Sequence, residues 1–294
     1  MGLPAEVLAF LAALFLALSQ VAAKKAVTSL PPTLFLAIRW PVSLGILSAI
    51  ALVTGGWREF KMDPAVPWVI VGGFLGPVAA WSMYTRAIVR LDVSIAYAIT
   101  QLSVIGTILV ATVLLGERPG FAAVTGATVI VVGASLLNGR PDRWRHSKIS
   151  RAGVLLVLGA VSCWSFSFVI WKIGVTSLTV LQTVWLRILV PTIVMSAVVA
   201  SSQKYQHGAV LLTSVTRRSL LMAAVMAFLS DVVAFGLQFF ALQVGTVAVV
   251  TPIAGTSPLF LAGLSMAFLG ERLSPWQWFG IMLIVAGAAL VSGG

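Results

Sequence analysis

The chain has 294 residues, of which 60% are hydrophobic and only 9% charged, and its formal net charge is +11. An ordinary soluble domain carries roughly 25% charged residues, so this composition excludes a water-soluble surface and points to a bilayer as the solvent. A single cysteine, Cys163, excludes a disulfide within the chain and a cysteine-based metal cluster.

A bilayer core needs about 20 apolar residues per helix. Such stretches predict membrane spans at 4–23, 33–54, 67–89, 93–115, 121–138, 152–171, 179–200, 219–241, 246–269 and 276–292. The first begins at Leu3-Pro4 without a basic flank and without a small-residue cleavage site behind its apolar run, so it is expected to be retained. Lys24 follows that span and Lys172 follows the sixth, where a cation complements a helix C-terminus and anchors it at the interface. Arg39 and Arg187 lie two turns inside the second and seventh spans, where a long side chain partly snorkels, and a structural role is favoured for them over anion binding. Tyr84 in the third span, Tyr97 and Gln101 in the fourth, Trp164 in the sixth and Gln238 in the eighth are polar or amphipathic groups well inside the membrane.

Asp231 is the most informative single residue. It lies 13 residues beyond Arg218, hence roughly 20 Å along a helix and near the bilayer midplane. An acid at that depth costs on the order of 3 kcal/mol or more. Ala224, Ala227, Ala234 and Gln238 share its helical face, which is therefore predicted to look into the bundle. A proton or cation site, a contact for a substrate amine, and a buried structural acid satisfied by its neighbours are the three readings this placement allows.

The sequence repeats itself. A shift of 148 lays Ser19 on Ser167, Lys24 on Lys172, Val27-Thr28-Ser29-Leu30 on Val175-Thr176-Ser177-Leu178 and Arg39 on Arg187. A shift of 154 lays Gly116-Glu117-Arg118 on Gly270-Glu271-Arg272 and the Gly126/Gly133 pair on Gly280/Gly287, the change of six being one insertion in the 201–218 loop. The paired glycines, one face of a helix apart by two turns, predict close helix packing. The repeats occupy 1–138 and 152–294, joined by a polar linker at 139–151. Because five spans is an odd number, the second copy enters the membrane from the opposite side. The expected fold is an all-α integral membrane protein of about ten transmembrane helices in two inverted five-helix repeats, the architecture of secondary transporters.

These residues resemble the drug/metabolite transporter superfamily, specifically its EamA-type ten-helix members. The resemblance rests on Cys163-Trp164-Ser165-Phe166-Ser167-Phe168 closing on Trp171-Lys172, on Leu186-Arg187, on the run from Pro258 to Gly270-Glu271-Arg272-Leu273-Ser274, and on the seven-residue glycine spacing of the tenth span. It implies that the helices carrying Tyr84, Tyr97, Gln101, Trp164 and Gln238 surround a central cavity. It also implies transport of a small metabolite or drug by alternating access, with efflux the commoner direction.

No His-Glu-x-x-His, Gly-x-Ser-x-Gly or Gly-x4-Gly-Lys-Ser/Thr stretch is present, and His146 and His207 both lie in loops. An intramembrane enzyme and a nucleotide-driven pump are therefore disfavoured, and no cofactor or metal is expected. A channel or scramblase-like pore is the rival reading. With the deepest charge negative at Asp231 and Arg39 and Arg187 placed nearer the interfaces, a neutral, zwitterionic or cationic amino-acid-like solute is preferred over an anionic phosphorylated metabolite. The expected partners are that solute, the lipid bilayer and a coupling proton, with no nucleic acid. A monomer in the cytoplasmic membrane is expected, since both repeats share one chain. Lys and Arg concentrate at Lys24, Lys25, Arg86, Arg90, the central linker and Arg217-Arg218, while the alternate loops hold little more than Arg58, Lys61 and Arg118. The positive-inside rule puts the linker in the cytoplasm and both termini outside. A reporter fused at Gly294 that is active only in the cytoplasm would reverse this orientation.

Overall fold

Lipid offers no partner for a backbone amide, so each crossing segment must satisfy its own hydrogen bonds, and a helix does so. The computed structural model describes residues 3–26, 32–138, 150–201, 217–269 and 273–293, and every regular element among them is helical. Ten spans follow in order: α1 (Ala5–Ala26), α2 (Pro32–Val53), α3 (Ala65–Ala87), α4 (Val93–Thr100 continuing as Leu102–Leu115), α5 (Phe121–Asn138), α6 (Arg151–Ser177), α7 (Val180–Ser201), α8 (217–244), α9 (Val247–Ala254 continuing as Ser257–Leu269) and α10 (Pro275–Gly293). The 139–149 stretch of the linker, the 202–216 stretch and the Gly270-Glu271-Arg272 turn lie outside the described residues, as does the side chain of Lys24.

Each span overlies a predicted one. The main departure is α6, which runs on to Ser177 instead of ending at 171. Lys172 is therefore inside a helix and does not close one. Its ammonium donates to the carbonyl of Leu242 and, at 2.8 Å, to that of Gly245. It thus caps the end of α8, whose final carbonyls lack helical partners. The following helix start is capped as well. Glu117 accepts from the amides of Val247 (2.9 Å) and Ala248 (3.2 Å) at the start of α9, where a carboxylate also meets the positive end of the helix dipole.

The two halves interlock. α1 packs on α8 and α9 of the second half, while α6, its repeat mate, packs on α3 and α4 of the first. α2 pairs with α7, and α5 with α10. In the last pair, a Cβ on Gly126 would sit 2.6 Å from the Gly287 carbonyl, and one on Gly133 would sit 2.6 Å from the Gly280 carbonyl. The helices therefore run antiparallel, and each contact is the symmetry mate of the other, as a two-fold relation requires. Large apolar side chains such as Val113, Phe121 and Leu155 face outward, as a lipid-facing surface does.

Two helices widen at matched places. A π-helical turn occupies Leu75–Ala80 in α3 and Ala227–Ala234 in α8, and the shift of 154 superposes Pro77 on Asp231. Proline removes a backbone donor and breaks the regular ladder in α3. α8 has the same widening without a proline.

Replacing Gly133 or Gly287 by Ala is expected to lower the melting temperature of the detergent-solubilised protein, because the added methyl meets backbone rather than a movable side chain. Gly263→Ala, at a helical glycine with open space around its Cβ, is expected to leave it unchanged or raise it, Ala being the better helix former by about 1 kcal/mol. Differential scanning fluorimetry on the three variants checks the contrast.

Candidate functional site

The π-helical turn in α8 carries Ser230 and Asp231, both 0% exposed. π segments inside α-helices frequently mark functional sites. Arg39 grips Asp231 side-on, with Nε donating to Oδ2 at 3.1 Å and Nη2 to Oδ1 at 2.9 Å. Arg39 Nη2 also donates to Ser230 Oγ at 2.7 Å, and the Ser43 hydroxyl donates to Asp231 Oδ2 at 2.8 Å. Arg187 approaches from the other half, its Nη1 3.6 Å from Oδ1. Its guanidinium lies 3.5 Å from the ring centre of Phe235 and 5.1 Å from that of Trp171. Such desolvated cation–π contacts contribute about 2 kcal/mol.

This arrangement corrects the placement of the two arginines. Arg39 enters from the start of α2 and Arg187 from the start of α7, at opposite membrane faces. Each Cα lies roughly 10 Å inside its helix. The side chains extend inward to the midplane acid and do not snorkel outward. Asp231, in turn, is bound by the protein's own groups. Both carboxylate oxygens are engaged, and the residue is closed off behind Arg39 and Ser43.

The arginines open onto a cavity of about 220 Å³ whose wall includes Arg39, Trp40, Pro77, Trp81, Trp164, Phe168, Trp171, Arg187 and Phe235. Of the residues singled out from sequence, Arg39, Arg187 and Trp164 line it, and Asp231 stands behind it. Tyr84 stacks beside Trp164 and Trp81, with ring centres 5.9 and 5.7 Å away, as a second layer. Tyr97 and Gln101 face each other along α4, and Gln238 is largely buried two turns beyond Asp231 in α8. None of these four is part of that wall.

One further wall residue carries a signal in the sequence: the 154-residue shift lays Trp81 on Phe235, also in the wall, as the 148-residue shift lays Arg39 on Arg187. Trp171 fits because α3 presents glycine to it. A Cβ on Gly76 would lie 3.1 Å from the indole edge, and one on Gly72 would lie 2.8 Å from Nε1.

With two cations and one anion, the cluster holds one positive charge in excess. Removing one partner of a buried ion pair costs about 3–5 kcal/mol, because the other charge is left uncompensated. Asp231→Asn is therefore expected to lower stability by that order and to abolish solute exchange altogether, with folding regained in the double variant Asp231→Asn/Arg39→Gln. Thermal unfolding and exchange in proteoliposomes check this. An Asp231→Asn protein of unchanged stability that has lost only proton-driven accumulation would make Asp231 a titrating site instead.

The comparisons with known proteins agree with this architecture. Residues 3–139 and 151–293 each match the EamA-like transporter family. A Sinorhizobium protein described as an uncharacterized transporter in the cobO 3' region is 30% identical over 130 residues, 44% of this chain and 92% of its own. A protein of known crystal structure superposes over 98% of this chain and 96% of its own, with a TM-score of 0.79 at 19% identity, a likeness of fold.

Proposed function

The chain belongs to the EamA-like transporter family, and from that premise we propose that it is a secondary transporter that exports a small amino-acid-like metabolite across the cytoplasmic membrane by alternating access. The observation that carries this reading is the meeting of two repeat-mate arginines, Arg39 and Arg187, on one mid-membrane cavity between inverted halves. A site on the symmetry element can be reached from either face when the halves exchange conformations, and that exchange is what inverted repeats make available. The cavity is smaller than the roughly 300–1,000 Å³ of drug-sized sites, which favours a metabolite of few atoms. Its wall combines charge with aromatic surface, as recognition of a partly apolar zwitterion requires.

The arginines also change which solute the electrostatics favour. The acid is consumed within the cluster, so the excess charge facing a solute is positive and the preference for a cation loses its basis. A zwitterion remains compatible through its carboxylate. A doubly charged phosphate ester calls for two free cations, and Arg39 is committed to Asp231.

Counterflow separates this reading from a pore. Proteoliposomes loaded with unlabelled amino acids are expected to accumulate external labelled amino acid transiently above equilibrium. A channel or scramblase-like pore would let the label equilibrate without overshoot.

A further inference from the structure

We infer that Arg187 is the anchor for a single carboxylate on the transported solute, whereas its repeat mate Arg39 is the fixed counter-ion of Asp231. This rests on the transporter reading above and assigns different work to two residues that the repeat makes equivalent.

The asymmetry lies in their hydrogen bonds. Arg39 spends Nε and Nη2 on Asp231 and Ser230. Arg187 is 4% exposed, and its Nε and Nη1 have no hydrogen-bond partner among the described residues, the 3.6 Å approach to Asp231 being too long for one. A buried guanidinium with unpaired donors, lying on the wall of a cavity, calls for an acceptor from the occupant. Stacking on Phe235 occupies a face of the guanidinium plane; Nη1 is turned toward Asp231, and Nε, enclosed by protein in this state, meets a solute carboxylate when the side chain shifts toward the cavity it borders. Trp40, on the same wall, has a buried and unpartnered indole N–H as well. Trp171 Nε1 is likewise unpartnered, but it is turned against Gly72 of α3 and is not counted.

Charge selects the class of acceptor. One excess positive charge is matched by one negative charge, and a carboxylate fits the planar fork of a guanidinium with two parallel hydrogen bonds. No acidic side chain belongs to the wall, so an ammonium group on the solute has no ion-pair partner there and is not needed for binding. Trp81, Trp164 and Phe168 offer ring surface for an apolar body. The solute is accordingly a small monocarboxylate with an apolar, planar portion, of which an aromatic amino acid is one case and the same acid without its amine another.

Four probes that share one body test the head group: phenylalanine, 3-phenylpropanoate, phenylalanine amide and 2-phenylethylamine. In thermal-shift titrations and in counterflow with each labelled compound, the two carboxylates are expected to stabilise the protein and exchange, and the amide and the amine to do neither. Arg187→Gln is expected to raise the half-saturation for both carboxylates roughly tenfold or more, the loss of one charge-assisted hydrogen bond. Arg187→Lys is expected to recover part of it through charge alone. In the absence of solute, Arg187→Gln is expected to melt somewhat lower, since its contact with Phe235 is lost, so half-saturation is read below its melting temperature; a half-saturation for both carboxylates equal to that of the parent protein would make Arg187 a structural counter-ion of Asp231 only and overturn the inference. Binding of the amine or the amide without the acids would overturn it too, as would accelerated exchange of amino acids with unchanged half-saturation in Arg187→Gln, and both leave the transporter reading standing. Equilibration without overshoot for every solute would remove the transporter reading itself.

Discussion

A carboxylate at the middle of a bilayer has to be compensated by the protein, since neither water nor headgroups reach it at acceptable cost. Asp231 is that carboxylate, and the groups that compensate it come from three helices and both repeats: Arg39 and Ser43 on α2, Arg187 on α7, with Ser230 beside it on α8. Because α2 and α7 enter from opposite faces, the cluster ties the two halves together at the depth where neither has contact with solvent. It also fixes where a polar cavity can exist. The arginines keep their remaining donors and their excess charge on one side, and the aromatic rings close around that side.

The repeat explains why the arginines meet, and the single acid explains why they differ. Two-fold symmetry alone would give Arg39 and Arg187 the same surroundings. Asp231 has Pro77 as its mate, Ser230 has Gly76 and Ser43 has Pro191, so every group that binds Arg39 is missing from the equivalent place around Arg187. Duplication supplied two cations, and substitution in one copy neutralised one of them. What remains is a site with a direction to it, although the scaffold around it is symmetric.

Much of the fold was legible because lipid imposes it residue by residue. Apolar length located ten helices to within a few positions, and the glycine pairs marked α5 and α10 as closely packed helices without naming their partners. The Lys172 placement failed because a helix end was inferred from where a charge stood, and a charge inside the membrane ends nothing when it can cap a neighbouring helix. The arginines were misplaced for a related reason. Counting residues along a helix locates a Cα, but a guanidinium reaches far enough to choose between interface and midplane, and the choice depends on a partner in another helix, 192 residues away for Arg39. The π-helical turn in α8 had no proline to betray it. Nothing in the sequence around Trp81 or Trp171 says that the space beside them is empty.

The way the helices interlock bears on motion. α1 belongs by sequence to the first half but packs on α8 and α9, and α6 belongs to the second half but packs on α3 and α4. Each five-helix unit in sequence therefore contributes its first helix to the other unit in space, and the bodies able to move as blocks are mixed ones. The α5–α10 pair is the least able to slide, because backbone meets backbone at the glycines with Ile130, Ile284 and Val291 packed around them, and so dense an interface has little freedom to deform. Motion between the halves is thus expected to pivot about α5 and α10 and to rearrange the α2–α7 pair, which packs closely and carries the two arginines. A solute carboxylate on Arg187 would neutralise the excess charge of the cluster where those two helices meet.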